Sequence, residues 1–158
     1  MKQKKLKEQS VSLGNVFIHK EDVSIRINKK TIIKWLKELA AEHHREIDQV
    51  EYTLMSDEEL LKYNIQYLNH DTYTDIITFD LSEDVKINGS ILISVDRVKA
   101  NAKEYNTPQD VELIRVLSHG LLHLIGFKDK SAKDQKRMRL EEEKAIYLYG
   151  KFTKFHVK

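Results

Sequence analysis

The chain has 158 residues, of which 41% are hydrophobic and 33% charged. That is enough apolar material for one core beneath a densely charged surface, so wholesale disorder and two full domains are both excluded as expectations. Lys and Arg number 27 against 25 Asp and Glu, a net +2 that does not by itself announce a nucleic-acid binder, and the absence of cysteine excludes disulfides, thiolate metal sites and cysteine catalysis.

The basic start, Met1 to Lys7, is followed by Glu8, Gln9 and Ser10 rather than an apolar run, so no signal peptide is expected and a cytoplasmic protein is. Its first eight or so residues are expected to be disordered. Val11 to Ile18 reads as a strand, and the alternation Val23, Ser24, Ile25, Arg26, Ile27 predicts a second. Ile32, Ile33, Leu36, Leu39 and Ala40 recur at helical spacing and predict a helix over 30–44. Val50 to Met55 is a predicted strand. Ser56 followed three residues later by Glu59 is a capping signature that opens a helix to about Leu68. The β-branched runs Thr74 to Leu81 and Gly89 to Val95 read as paired strands.

From Asp96 on the periodicity is helical throughout. Thr107, Pro108 and Asp110 predict a helix with Thr107 as N-cap, running to Gly126, and Ser131 with Asp134 opens a last helix toward Tyr149 and Gly150. With one Pro, five Gly and no linker-like stretch, the chain reads as a single domain over 1–158. The expected fold is α+β: a small mixed sheet of about four strands packed with about five helices. No apolar run is long enough to cross a membrane.

Chemistry concentrates in the segment from Leu117 to Lys130. His119 and His123, four residues apart on a helix, project from one face and can converge on one ion. They lie in an otherwise apolar stretch, where imidazoles need either a metal or hydrogen-bond partners, so a metal pair and satisfied core histidines both remain open. The helix ends at Gly126, and Asp129 three residues on is placed to offer an oxygen ligand as the chain folds back. Two histidines and a carboxylate leave an open position for water. Zinc is the expected ion, one per chain, although the same donors also suit iron(II), manganese or nickel. Gly120 occupies the position that carries the general-base Glu in an H-E-x-x-H metalloprotease, which argues against peptide hydrolysis.

The string His119-Gly120-Leu121-Leu122-His123-Leu124-Ile125-Gly126-Phe127 resembles the H-G-x-L-H-L-x-G-[YF] signature of the YbeY family of metal-dependent endoribonucleases. Thr74-Asp75-Ile76-Ile77-Thr78-Phe79 is similar to that family's P-T-D-V-L-S-F segment, and Gly89 to Ser94 resembles its G-D-I-x-I-S strand. The resemblance implies a metal cleft, hydrolysis of RNA phosphodiesters in maturation of the small-subunit ribosomal RNA 3′ end, and a role in ribosome quality control. The implied partners are ribosomal RNA and the small subunit or its assembly factors, with no DNA and no membrane. His119 and His123 match the first two ligands. Asp129 stands where the family usually has a third histidine, and Leu68 stands where it often has a phosphate-gripping arginine.

Six positive charges against two negative ones lie between Gly126 and Leu140, a candidate phosphate-attracting border that includes Lys128 and Lys130. Its alternative is the solvated face of a helix leading into Glu141-Glu142-Glu143. His70, Asp71 and Arg115 are further candidates for the RNA path, Asp71 also as general base, although His70 equally suits an exposed loop and Arg115 a salt bridge to Glu112. Trp35, Tyr147 and Tyr149 are expected in the core, and the remaining histidines are assigned no function. Two competing functions are carried forward: a ribosome-associated RNA-binding module with a structural metal, and a zincin-like peptidase.

Overall fold

A computed structural model describes residues 14–153. Among them are four strands, β1 (Asn15–Lys20), β2 (Glu46–Met55), β3 (Ile76–Asp80) and β4 (Lys86–Ser94), and five helices, α1 (Lys29–Glu42), α2 (Asp57–Leu68), α3 (Val95–Glu104), α4 (Gln109–Ile125) and α5 (Ala132–Thr153). The sheet order is β1-β2-β4-β3, with β1, β2 and β4 parallel and β3 antiparallel at the edge. This is the expected α+β arrangement. No described helix is long and apolar enough to cross a membrane.

Alternation along the strands sorts the two faces of the sheet. Val16, Ile18, Val50, Tyr52, Ile87, Ile91 and Ile93 join residues of α1, α4 and α5 in the main core. Leu92 of β4 and Ile77 of β3 point the other way, and with Met55 and Leu60 they form a smaller cluster beneath α2. The β2–β4 register shifts between Ile47 and Gln49, so Ile47 and Val50 both face the main core despite their odd spacing.

Trp35 joins α1 to α5: its Nε1 donates to the Ala145 carbonyl at 2.9 Å and its ring meets Tyr149 edge-on at 5.2 Å. Trp35→Phe removes that donor and leaves a void at a fully buried site, so it is expected to cost about 1–3 kcal/mol. Urea unfolding followed by circular dichroism should show a lower midpoint with an unchanged slope.

Several expectations change. Val23–Ile27 is not a strand; Ile25 is buried and its neighbours alternate in burial, but the segment pairs with nothing in the sheet, so its period-2 pattern reflects packing without a ladder. Val11 to Leu13 and the first eight residues lie outside the described residues. β2 begins four residues earlier than expected, because its polar start is carried by pairing with β4. α4 takes Pro108 rather than Thr107 in the N-cap position: Pro108 keeps an extended ψ of 147°, which moves the boundary on by one residue, and the buried Thr107 hydroxyl has no hydrogen-bond partner. Tyr147 is exposed, with Lys151 over its ring, whereas Tyr149 packs inward. The Ser56 and Ser131 caps form as expected, their hydroxyls accepting from the Glu59 and Asp134 backbone N–H groups.

Candidate metal centre

α4 buries one side against the sheet and presents His119 and His123 from another, their rings 4.6 Å apart and steeply inclined. Gly126 then ends the helix at φ 126°, a backbone conformation that side chains rarely adopt. The Gly126 and Phe127 N–H groups both bond the Leu122 carbonyl, and Arg45 donates to Ile125 O at 2.7 Å and Val85 O at 2.9 Å. The turn so fixed brings Asp129 back over the helix. Its Oδ2 lies 3.3 Å from Nε2 of His119 and 3.3 Å from Nε2 of His123. The three ligand atoms fall within 4.8 Å of one another.

These donors fit a divalent cation on chemical grounds. Nδ1 of His119 is 2.6 Å from Oε2 of the buried Glu142, a contact that requires the ring proton on Nδ1 when Glu142 is ionised. A neutral His119 therefore turns the lone pair of Nε2 toward a carboxylate oxygen, an arrangement favourable only with a positive charge between them. Without an ion, burial lowers the proton affinity of His119 while the Glu142 hydrogen bond and the charges of Glu142, Asp129 and Asp75 raise it; the balance lies above the ordinary imidazole range.

A groove of about 640 Å³ opens at this centre, lined by Leu68, Asp75, Thr78 and Asp80 along with the three donors. It follows β3, the edge strand. On the other side of His119 lies a second polar pocket of about 360 Å³, where Asp75 appears again with Thr107, Glu112, Arg115 and Glu142. Asp75 thus borders both cavities. The sequence motif around it was visible in advance, but not that its carboxylate shares space with His119.

The other candidates separate clearly. His70 and Asp71 are exposed and do not line the groove. Lys128 and Lys130 are exposed, adjacent in the chain to Asp129 on either side, and do not themselves line the groove. Arg115 is held among carboxylates, 2.6 Å from Glu143, 3.3 Å from Glu142 and 3.8 Å from Glu112. Burial weakens its charged form, but the bonds to Glu143 and Glu142 more than restore it. The same burial raises the Glu112 carboxyl above its usual range. Two residues of the acidic run are buried rather than solvated, Glu141 at 4% and Glu142 at 6% exposure, and only Glu143 faces solvent. Glu141 takes Arg137 and Lys144 and lies near His43, which packs edge-on against Phe127.

Comparison with known proteins agrees with the resemblance read from the motifs. The model of the family described as Endoribonuclease YbeY matches residues 7–150. An Endoribonuclease YbeY of Cytophaga hutchinsonii is 46% identical over 136 residues, covering 84% of this chain and 94% of the relative. That of Porphyromonas gingivalis is 42% identical over 137 residues, covering 86% and 91%. The solution structure of TM1509 from Thermotoga maritima superposes with a TM-score of 0.66 at 26% identity, over 90% of this chain and 93% of that one.

Proposed function

The chain belongs to the YbeY family, and from that membership we propose that it is a metal-dependent endoribonuclease that cuts single-stranded RNA in ribosomal RNA maturation, at the 3′ end of the small-subunit RNA. The observation that carries the metal half of this reading is the convergence of two imidazole nitrogens on one carboxylate oxygen at the mouth of an open groove. His119, His123 and Asp129 would hold one divalent ion, for which zinc is the proposed identity. Such an ion supplies Lewis acidity toward water and the phosphodiester oxygens.

The chain's own groups do the rest. Lys128 and Lys130 flank Asp129 and draw the RNA backbone toward the groove, a role Leu68 cannot fill. Arg115 is committed to Glu142 and Glu143 and acts within the protein rather than on RNA. Asp75 replaces Asp71 as the candidate proton acceptor, because it lines the groove with both histidines. The ribosome and its assembly factors are the proposed partners, and the cytoplasm the proposed compartment.

The test is incubation of zinc-loaded protein with an RNA spanning the small-subunit 3′ end. Site-restricted cleavage is expected, and none with casein. Cleavage of casein without RNA would reinstate the peptidase. Asp75→Asn should lower the cleavage rate about 10²-fold with zinc affinity retained, as general-base removal does; an unchanged rate would clear Asp75 of that role.

A further inference from the structure

We propose that Glu142 is a positioning residue for the metal centre, holding the His119 ring in the Nδ1–H form so that Nε2 is free to ligate, and that Arg115 keeps Glu142 in place. The inference rests on the metal-centre reading above and deepens it.

Glu142 comes from α5, 23 residues beyond His119, and is 6% exposed. A carboxylate so buried requires partners for both oxygens. Oε2 accepts from His119 Nδ1 at 2.6 Å, and Oε1 accepts from Arg115 Nη1 at 3.3 Å. With the Arg115 guanidinium donating to Oε1, the carboxylate faces the ring as an acceptor through Oε2, so the ring nitrogen there is the donor. With the proton fixed on Nδ1, the other nitrogen faces Asp129 Oδ2 at 3.3 Å, on the side where His123 converges. Arg115 in turn is braced by Glu143 at 2.6 Å, so the guanidinium stays put and steers Glu142 toward the ring. Partners of this kind commonly control metal affinity by about 10- to 100-fold.

Glu142→Gln is nearly isosteric and distinguishes positioning from simple charge balance. The single amide oxygen goes to the cationic Arg115, which turns the NH2 group toward His119 Nδ1. That nitrogen must then accept, which moves the ring proton to Nε2 and blocks the ligating atom. Ring ¹⁵N shifts of histidine-labelled, metal-free protein at a pH where His119 is neutral should show Nδ1–H in the unaltered protein and Nε2–H in the variant. Zn²⁺ titration against a competing chelator should show affinity about 10- to 100-fold lower. Glu59→Gln, which changes a half-exposed carboxylate paired with Lys62 and touches neither Arg115 nor His119, should alter neither.

Unchanged tautomer and affinity in Glu142→Gln would overturn the proposal. So would weaker Zn²⁺ binding with the proton still on Nδ1, since the effect would then be charge alone. Failure of the unaltered protein to bind Zn²⁺ overturns both this inference and the metal reading. Zinc binding and the tautomer switch without RNA cleavage would sink only the ribonuclease reading.

Discussion

His123→Ala should lower the rate of RNA cleavage by about 10³-fold or more while the protein stays folded. A ligated ion supplies several kcal/mol of transition-state stabilisation, and each 1.36 kcal/mol is about a factor of ten in rate, so its loss takes roughly three orders of magnitude. Stability should change little, because the core beneath the site is made by apolar side chains other than the three ligands. Leu113, Leu117, Leu121 and Leu124 of α4 are buried against the sheet and neighbouring helices, whereas His123 and Asp129 are part-exposed at the groove. The same reasoning holds for Asp129→Ala and for stripping with a chelator: activity lost, far-ultraviolet circular dichroism retained, and melting shifted by no more than a few degrees. A structural ion predicts the reverse, since apo protein would unfold. Unfolding on chelation, with no RNA cleavage by the loaded protein, would therefore favour the binding-module reading. Purifying His123→Ala beside the unaltered protein also controls for contaminating nucleases, because equal cleavage by both would belong to neither.

What could be read in advance follows from how far apart the interacting residues lie. The pair His119 and His123 is local, and a helix alone sets its geometry. Asp129 was legible because Gly126 stops that helix, and the positive φ there turns the chain back as required. The Ser56 and Ser131 caps are equally local. Glu142 was not legible: it sits in a triple-Glu run that resembles a wet helix face, and only the packing of α5 on α4 brings it to His119. Arg115 was visible as an ion-pair candidate with Glu112, yet its shorter contacts are to Glu142 and Glu143 on the other helix. Val23–Ile27 failed for the opposite reason, since alternation reports which side is buried and not whether a neighbouring strand exists.

Gly120→Glu rebuilds the H-E-x-x-H string and should yield neither a peptidase nor a stable protein. In the folded chain position 120 is buried against the sheet, and a Cβ there would lie 2.9 Å from two carbons of Ile91 and 3.2 Å from Ile76. The glycine therefore exists to let α4 approach β4 and β3 closely. A glutamate would be driven into apolar packing, where overpacking costs about 1–3 kcal/mol and an unpaired buried charge several more. Against a total stability of about 5–15 kcal/mol, that is enough to unfold much of the population. Gly120→Ala isolates the steric part: the nearest atoms are the Cδ1 and Cγ2 methyls of the fully buried Ile91, so an overpacking loss of about 1–3 kcal/mol is expected, lowering the melting midpoint by roughly 3–10 °C. Thermal melts of both variants, with casein and RNA assays on whatever remains folded, decide the matter. A Gly120→Glu protein that melts near the unaltered one and hydrolyses casein would mean that residue 120 faces the metal, and that the absence of peptidase chemistry is a matter of one missing carboxylate rather than of how the helix sits on the sheet.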